Sequence, residues 1–150
     1  VEDFLYTGQQ VLDAQPFSAT LGTKLVSFSE EGAVLEIPIR EQLLQQNGFV
    51  HGGVLSYAAD NALAFAGGSA LGPEVLTSEY KINYLRPASG EKLVARATVV
   101  YAGKRQAVCR CDVLSVDAGG EEKLCATAQG TIASTAGEGR EPSKQTSEQP

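Results

Sequence analysis

The stretch Gln45-Gln46-Asn47-Gly48-Phe49-Val50-His51-Gly52-Gly53-Val54-Leu55-Ser56-Tyr57-Ala58-Ala59-Asp60-Asn61-Ala62-Leu63-Ala64-Phe65-Ala66 decides how this chain folds. Its first part is a polar loop marked by Asn47-Gly48. From about Gly53 to Ala66 it reads as a helix that is apolar on nearly every side, so other elements must wrap it. Gly67-Gly68 is expected to end that helix. Asp60 is a lone carboxylate in this apolar run, and burying it unpartnered is costly, so it needs a partner, a water or a task. His51, the single histidine of the chain, stands where loop becomes helix.

Outward from the helix the pattern changes from helical to strand-like. Residues 1–15, with apolar Phe4, Leu5, Val11 and Leu12, suggest a short helix. Thr20 to Ser27 and Ala33 to Ile39 read as two strands joined by a turn at Glu30-Glu31-Gly32. In the second, Leu35, Ile37 and Ile39 alternate with Val34, Glu36, Pro38 and Arg40, which turns one apolar face inward. Beyond the helix, strands are expected over Leu76–Leu85, Leu93–Gly103, Gln106–Asp117 and Leu124–Ala133. Pro87 and Ser89-Gly90, then Gly103-Lys104-Arg105, then Gly119-Gly120 punctuate them. From Ser134 the chain turns to Gly, Ser, Glu, Gln and Pro, so 134–150 is expected to be a disordered tail and 1–133 a single domain. The class is α+β: one long central helix wrapped by a curved antiparallel sheet of about six strands.

Bulk composition narrows the function. The 150 residues are 43% hydrophobic, enough for a core without staples. A formal net charge of −6 argues against nucleic acid as a partner. Cys109, Cys111 and Cys125 form no disulfide framework or zinc knuckle; at strand periodicity Cys109 and Cys111 share a face and read as buried free thiols. No apolar run is long enough to span a membrane, and a reducing, cytoplasmic setting is the expectation.

The pattern Gly48-x-x-His51-Gly52-Gly53, with Asp60 nine residues after the histidine, resembles the hotdog-fold acyl-CoA thioesterases. Tyr84-Leu85-Arg86-Pro87-Ala88 is similar to a second recurring stretch of the phenylacetate-pathway (PaaI-like) type. The resemblance covers roughly residues 18 to 133.

The chemistry can be argued from the residues as well. A thioester hydrolase must stabilise an oxyanion, and N–H groups at a helix N-terminus do so where Gly52 and Gly53 leave access open. It also needs a base or nucleophile, and Asp60 is the candidate. Gly52 and Asp60 are eight residues apart, roughly 12 Å along a helix, too far for one reacting centre. Two such helices set antiparallel about a two-fold axis bring Asp60 of one beside Gly52 of the other, which implies a homodimer with two composite sites. A dimer of dimers is also compatible, and the resemblance implies shared sites too.

The resemblance further implies particular roles. Asp60 would be general base or nucleophile, Gly52 N–H would polarise the thioester carbonyl with Gly53 beside it, and His51 would position the carbonyl or the loop. Gln45 or Asn47 would orient the water or carboxylate. Thr77 or Ser78 would supply a hydroxyl from the strand after the helix. Arg86, Lys104 and Arg105 are candidates for the coenzyme A phosphates. No cofactor and no metal are implied. Plainer readings stand beside these: His51 as a capping loop residue, Asp60 paired with Lys81 or Arg86, and Lys104-Arg105 as a solvated turn. Two other functions compete, a non-catalytic acyl-CoA-binding module and a hotdog hydratase or dehydratase. Leu63, Phe65, Ala66 and Tyr57 suggest an apolar pocket suited to aryl or fatty acyl groups.

Overall fold

The computed structural model describes residues 3–137. The helices are α1 (Phe4–Asp13), α2 (Pro16–Leu21) and α3 (Gly52–Leu71). The strands are β1 (Lys24–Ser29), β2 (Gly32–Pro38), β3 (Val75–Tyr84), β4 (Lys92–Ala102), β5 (Gln106–Val116) and β6 (Glu122–Ser134). A single 3-10 turn, Glu41–Leu43, precedes the loop into α3. The strands form one antiparallel sheet in the order β1-β2-β4-β5-β6-β3, and every strand touches α3. This is the helix-in-sheet architecture expected from the apolar helix, the hotdog fold. No helix among the described residues is long and apolar enough to cross a membrane.

Alternation sets the inner face. Ala33, Leu35 and Ile37 of β2 point inward and are buried, while Val34, Glu36 and Pro38 are half-buried. On β5, Cys109, Cys111 and Val113 do the same, so the thiols are core residues, as is Cys125 on β6. Burial pushes the Cys109 thiol up to about 11 and the Cys111 thiol up to about 12, because a thiolate there would lose its hydration.

Three boundaries differ from expectation. The region given to a first strand from Thr20 begins as helix: Pro16 starts α2 at a position where its missing N–H costs nothing. Gly22, at φ 72°, closes α2, with Thr23 N–H donating to Ser18 C=O, so β1 starts only at Lys24. Second, α3 does not end at Gly67-Gly68 but runs on to Leu71. Gly67 is there for packing: a Cβ on it would lie 2.5 Å from Ile132 Cβ, so only a bare backbone lets the helix settle on β6. Gly72, at φ 98°, is where the helix stops. Third, β6 extends to Ser134, and Thr135 N–H donates to Glu74 C=O, so regular structure outlasts the change in composition. Residues 138–150 of the expected tail lie outside the described residues.

β3 is a sheet edge, paired only on its β6 side. Its register on β6 slips by one between Thr77 and Glu79, a bulge at Ser78. The extra residue resets the alternation, so that Thr77, Tyr80 and Ile82 are all half-buried on the helix side.

Candidate active site

The start of α3 is built by its own loop. His51 N–H donates to Leu43 C=O and Val50 N–H to Ala88 C=O, which fixes the approach to the helix. His51 is the N-cap, and its Nδ1 accepts from Gly53 N–H at 2.8 Å. An imidazole accepting at Nδ1 is, when neutral, the tautomer with its proton on Nε2. Val54 N–H donates to His51 C=O. Of the first three amides of α3, the Gly53 and Val54 donors are therefore engaged, while Gly52 N–H meets no acceptor among the described residues. This distinguishes two glycines that the sequence presents alike.

Two turns further on, Thr77 Oγ1 donates to Asp60 Oδ1 at 2.7 Å. Asp60 is half-buried, and its bond is to this hydroxyl rather than to Lys81 or Arg86. One carboxylate oxygen is thus fixed, and Oδ2 has no partner among the described residues. Ser78, the rival hydroxyl, is exposed at the bulge and makes no bond to Asp60. The bulge is the reason the one-residue choice was unreadable: counting by twos back from Tyr80 selects Ser78, whereas the extra residue puts Thr77 on α3.

These contacts belong to a ladder between α3 and β3. Tyr84 Oη donates to Gly52 C=O at 3.1 Å, Ser56 Oγ bonds Tyr80 Oη, and Thr77 holds Asp60, each one turn along the helix from the last. In the sequence Tyr84 stands out only as part of a motif, and Ser56 and Tyr80 do not stand out. Their spacings of four, 52-56-60 on the helix and 80-84 on the strand, are the signal that could have found them.

Around the start of α3 lies a cleft of about 340 Å³ whose lining includes Gln45, Phe49, Gly52, Tyr84 and Arg86. Gln45 therefore joins Gly52 at one cleft. Its Oε1 accepts from Asn47 N–H and its own N–H donates to Phe49 C=O, so the loop is braced on it. Asn47 is exposed. Arg86 flanks the same cleft, whereas Lys104 and Arg105 form the β4–β5 turn. That turn sits at the opposite end of the sheet: Gln106 pairs with Ala133 and Ser134 with Val75, nine residues or roughly 30 Å of strand from Tyr84. Within one chain the basic candidates are thus split between the two ends.

A second polar group braces α2 against α3. Tyr57 Oη bonds Ser18 Oγ at 2.5 Å and Thr23 Oγ1 at 2.8 Å, and Asn61 Nδ2 donates to Gln15 Oε1 at 3.1 Å and to Tyr57 Oη at 3.2 Å. Tyr57 and Asn61 therefore serve as struts at one side of the helix.

Residues 47–121 match the sequence profile of the Thioesterase superfamily. A putative esterase of Haemophilus influenzae is 30% identical over 114 residues, covering 75% of this chain and 80% of that protein. The acyl-coenzyme A thioesterase PaaI of Escherichia coli is 33% identical over 96 residues, covering 63% and 68% respectively. Among solved structures, a thioesterase family protein from Silicibacter pomeroyi superposes with a TM-score of 0.78 at 36% identity, covering 84% of this chain and 96% of that one.

Proposed function

Because the chain belongs to the thioesterase superfamily, and is a thioester hydrolase of the PaaI-like type, we propose that it cleaves aryl- or fatty-acyl-CoA to the free acid and coenzyme A. The observation that carries this reading is the pairing of an open Gly52 N–H with a carboxylate anchored two turns along the same helix. The thioester carbonyl accepts from Gly52 N–H, and the positive end of α3 stabilises the oxyanion as it forms. His51 keeps Gly53 in place. Asp60, held by Thr77, uses its other oxygen either to take a proton from the attacking water or to attack the carbonyl itself. In either case the C–S bond breaks, the thiolate leaves as coenzyme A, and water supplies the second carboxylate oxygen of the acid.

The two groups lie roughly 12 Å apart along α3, so the proposal includes a homodimer in which Gly52 of one chain meets Asp60 of the other. The unpaired edge of β3 supports it, since a ten-residue edge invites a second strand. Antiparallel pairing there also brings the partner's β4–β5 turn toward the end of the sheet that carries Arg86. Arg86 would then share the coenzyme A phosphates with that turn's basic side chains. Gln45 rather than Asn47 is the amide we place beside the reacting carbonyl, because it lines the cleft with Gly52. Three buried free thiols suit a reducing, cytoplasmic setting.

Free-thiol release from a panel of acyl-CoAs tests the reading. Asp60→Asn should lower kcat/KM by about 10³-fold with the fold intact. Gly52→Pro should also inactivate: it removes the open N–H, and proline is at home at a first helical position after the extended His51. Mixing the two dead proteins and allowing exchange should restore about a quarter of wild-type activity, because half the dimers are mixed and each carries one intact site. Full activity of Asp60→Asn would refute the mechanism, and no recovery in the mixture would refute the shared site. Saturable acyl-CoA binding without thiol release would favour the binding module, and hydration of an enoyl-CoA the hydratase.

A further inference from the structure

The open edge of β3 carries two opposite charges on one face. Past the bulge at Ser78, residues 79–84 pair with β6 without a break. Tyr80 and Ile82 are half-buried on the helix side, so Glu79 and Lys81 stand on the opposite, exposed face. Glu79 Oε1 accepts from Thr131 Oγ1 at 2.5 Å. Lys81 lies opposite the neutral Gln129 of β6 and joins no ion pair among the described residues. Beyond both charges the sheet ends.

Few registers let a second copy of β3 pair along this edge. A two-fold axis perpendicular to the sheet keeps both α3 helices on one face of the joined sheet. Each residue must then meet one that points to the same face, so the axis passes through a residue and not between two. An axis at Glu79 sets Glu79 against its own copy, and an axis at Lys81 does the same with Lys81; like charges directly opposite are destabilising. An axis at Tyr80 instead sets Glu79 of each chain opposite Lys81 of the other, twice. The helix leads to the same level by a separate route. Gly52 of one chain beside Asp60 of the other puts the axis at Ser56, midway between them, and Ser56 Oγ bonds Tyr80 Oη.

We propose that two copies of this chain pair along β3 with Tyr80 on the axis, and that the reciprocal Glu79–Lys81 ion pairs select this register; this rests on the shared-site reading and adds to it which residues meet. Directly opposite residues on paired strands have Cβ atoms about 5 Å apart, so the flexible lysine stem can bring its ammonium to the Glu79 oxygen that Thr131 leaves free. Moving the axis by one residue slides the second strand by two, roughly 7 Å, and carries its Gly52 away from Asp60. Two surface charges therefore set the geometry of the composite site from the far face of the sheet, and the like-charge registers are disfavoured by the same side chains.

Analytical ultracentrifugation at low salt tests this with Glu79→Lys and Lys81→Glu. Each alone sets like charges opposite one another twice and should weaken the dimer by about tenfold or more. Lys24→Glu makes the same charge change on β1, the opposite edge of the sheet, and should leave association unchanged. Mixing Glu79→Lys with Lys81→Glu restores both ion pairs only in dimers that hold one of each. With one variant isotope-labelled, native mass spectrometry should find mixed dimers well above the half expected by chance. Single variants that pair as tightly as the wild type, mixed dimers at the chance level, or a monomeric wild type would overturn the register. Thiol release from acyl-CoA, read on the same samples, separates this from the hydrolase reading. An excess of mixed dimers without hydrolysis keeps the register and sinks the hydrolase, and hydrolysis without that excess does the reverse.

Discussion

On the side of α3 turned away from β3, Ala58 and Ala62 are fully buried. On the side that meets β3, successive turns carry polar contacts instead: Gly52 with Tyr84, Ser56 with Tyr80, Asp60 with Thr77. The first side tolerates nothing but close apolar packing, since interior density leaves no room for added atoms. The second keeps polar groups, half-buried except for the exposed Tyr84, each with a partner, at a cost in desolvation that the proposed chemistry explains. On the proposed mechanism one helix thus separates what holds the fold from what performs chemistry, by the roughly 200° that two residues turn, from Ser56 to Ala58 and from Asp60 to Ala62.

Substitutions can break that separation or sharpen it. The largest effect should come from the packing side: Ala62→Leu forces three more carbons into a fully buried position and should cost about 3 kcal/mol of stability, read as a lower urea midpoint. Activity per folded molecule should survive it, and a specific loss of kcat in well-folded protein would show that the two sides are coupled. On the polar side, Thr77→Val should lower kcat roughly tenfold, about 1.4 kcal/mol, by releasing Asp60, while Thr77→Ser keeps most of the rate. An unfolding midpoint that moves with kcat would make Thr77 a packing residue only.

Smaller effects test the sheet beyond the helix. With thiols raised to about 11 and about 12 by burial, Cys109 and Cys111 should resist iodoacetamide in native protein at pH 8 and react once urea exposes them. Mass spectrometry after alkylation reads this directly, and rapid native labelling would contradict their place in the core. The smallest effect concerns the exposed Arg96–Glu122 pair at 2.6 Å, where the hydrogen bond from Arg96 holds the Glu122 carboxyl below the usual carboxylate range. A depressed folded value means that the contribution is present above the ordinary glutamate range and is lost as pH falls through the depressed value. Glu122→Gln should therefore lower stability slightly at neutral pH, leave it unchanged below the depressed value and so flatten the acid limb of a stability–pH profile, a small effect as expected for a solvent-screened pair.

How much of this the sequence disclosed follows the same division. The apolar α3 is conspicuous because its pattern has no polar stripe, and the wrapped architecture follows from that alone. Strand alternation was equally plain in Leu35 and Ile37, or in Cys109 and Cys111. What escaped were features set by single residues acting against the local pattern. Gly67-Gly68 carries the chemistry of a helix end, but tertiary packing against Ile132 uses it otherwise. Pro16 and Gly22 bracket a six-residue helix too short to show a period. In the candidate site, Asp60 and Gly52 stand out by residue type, because a carboxylate in an apolar helix and a glycine at its start are unusual anywhere. The choice of Thr77 over Ser78 does not, because an inserted residue in β3 leaves no mark in composition. Nor could the sequence tell that His51 occupies Gly53 N–H and spares Gly52, which is a matter of one side chain's direction.

The bulge at Ser78 has a bearing on solubility. A straight ten-residue edge would present evenly spaced donors and acceptors to any extended peptide, and such edges seed aggregates. The bulge breaks that spacing near the middle and twists the strand, so a flat foreign segment can follow only part of the edge before losing register. A strand carrying the same irregularity, run in the opposite direction, need not share that mismatch. The residue that obscures the reading of β3 thus also acts as a filter on what the edge accepts, and removing Ser78 should make the protein stickier before it makes it less active.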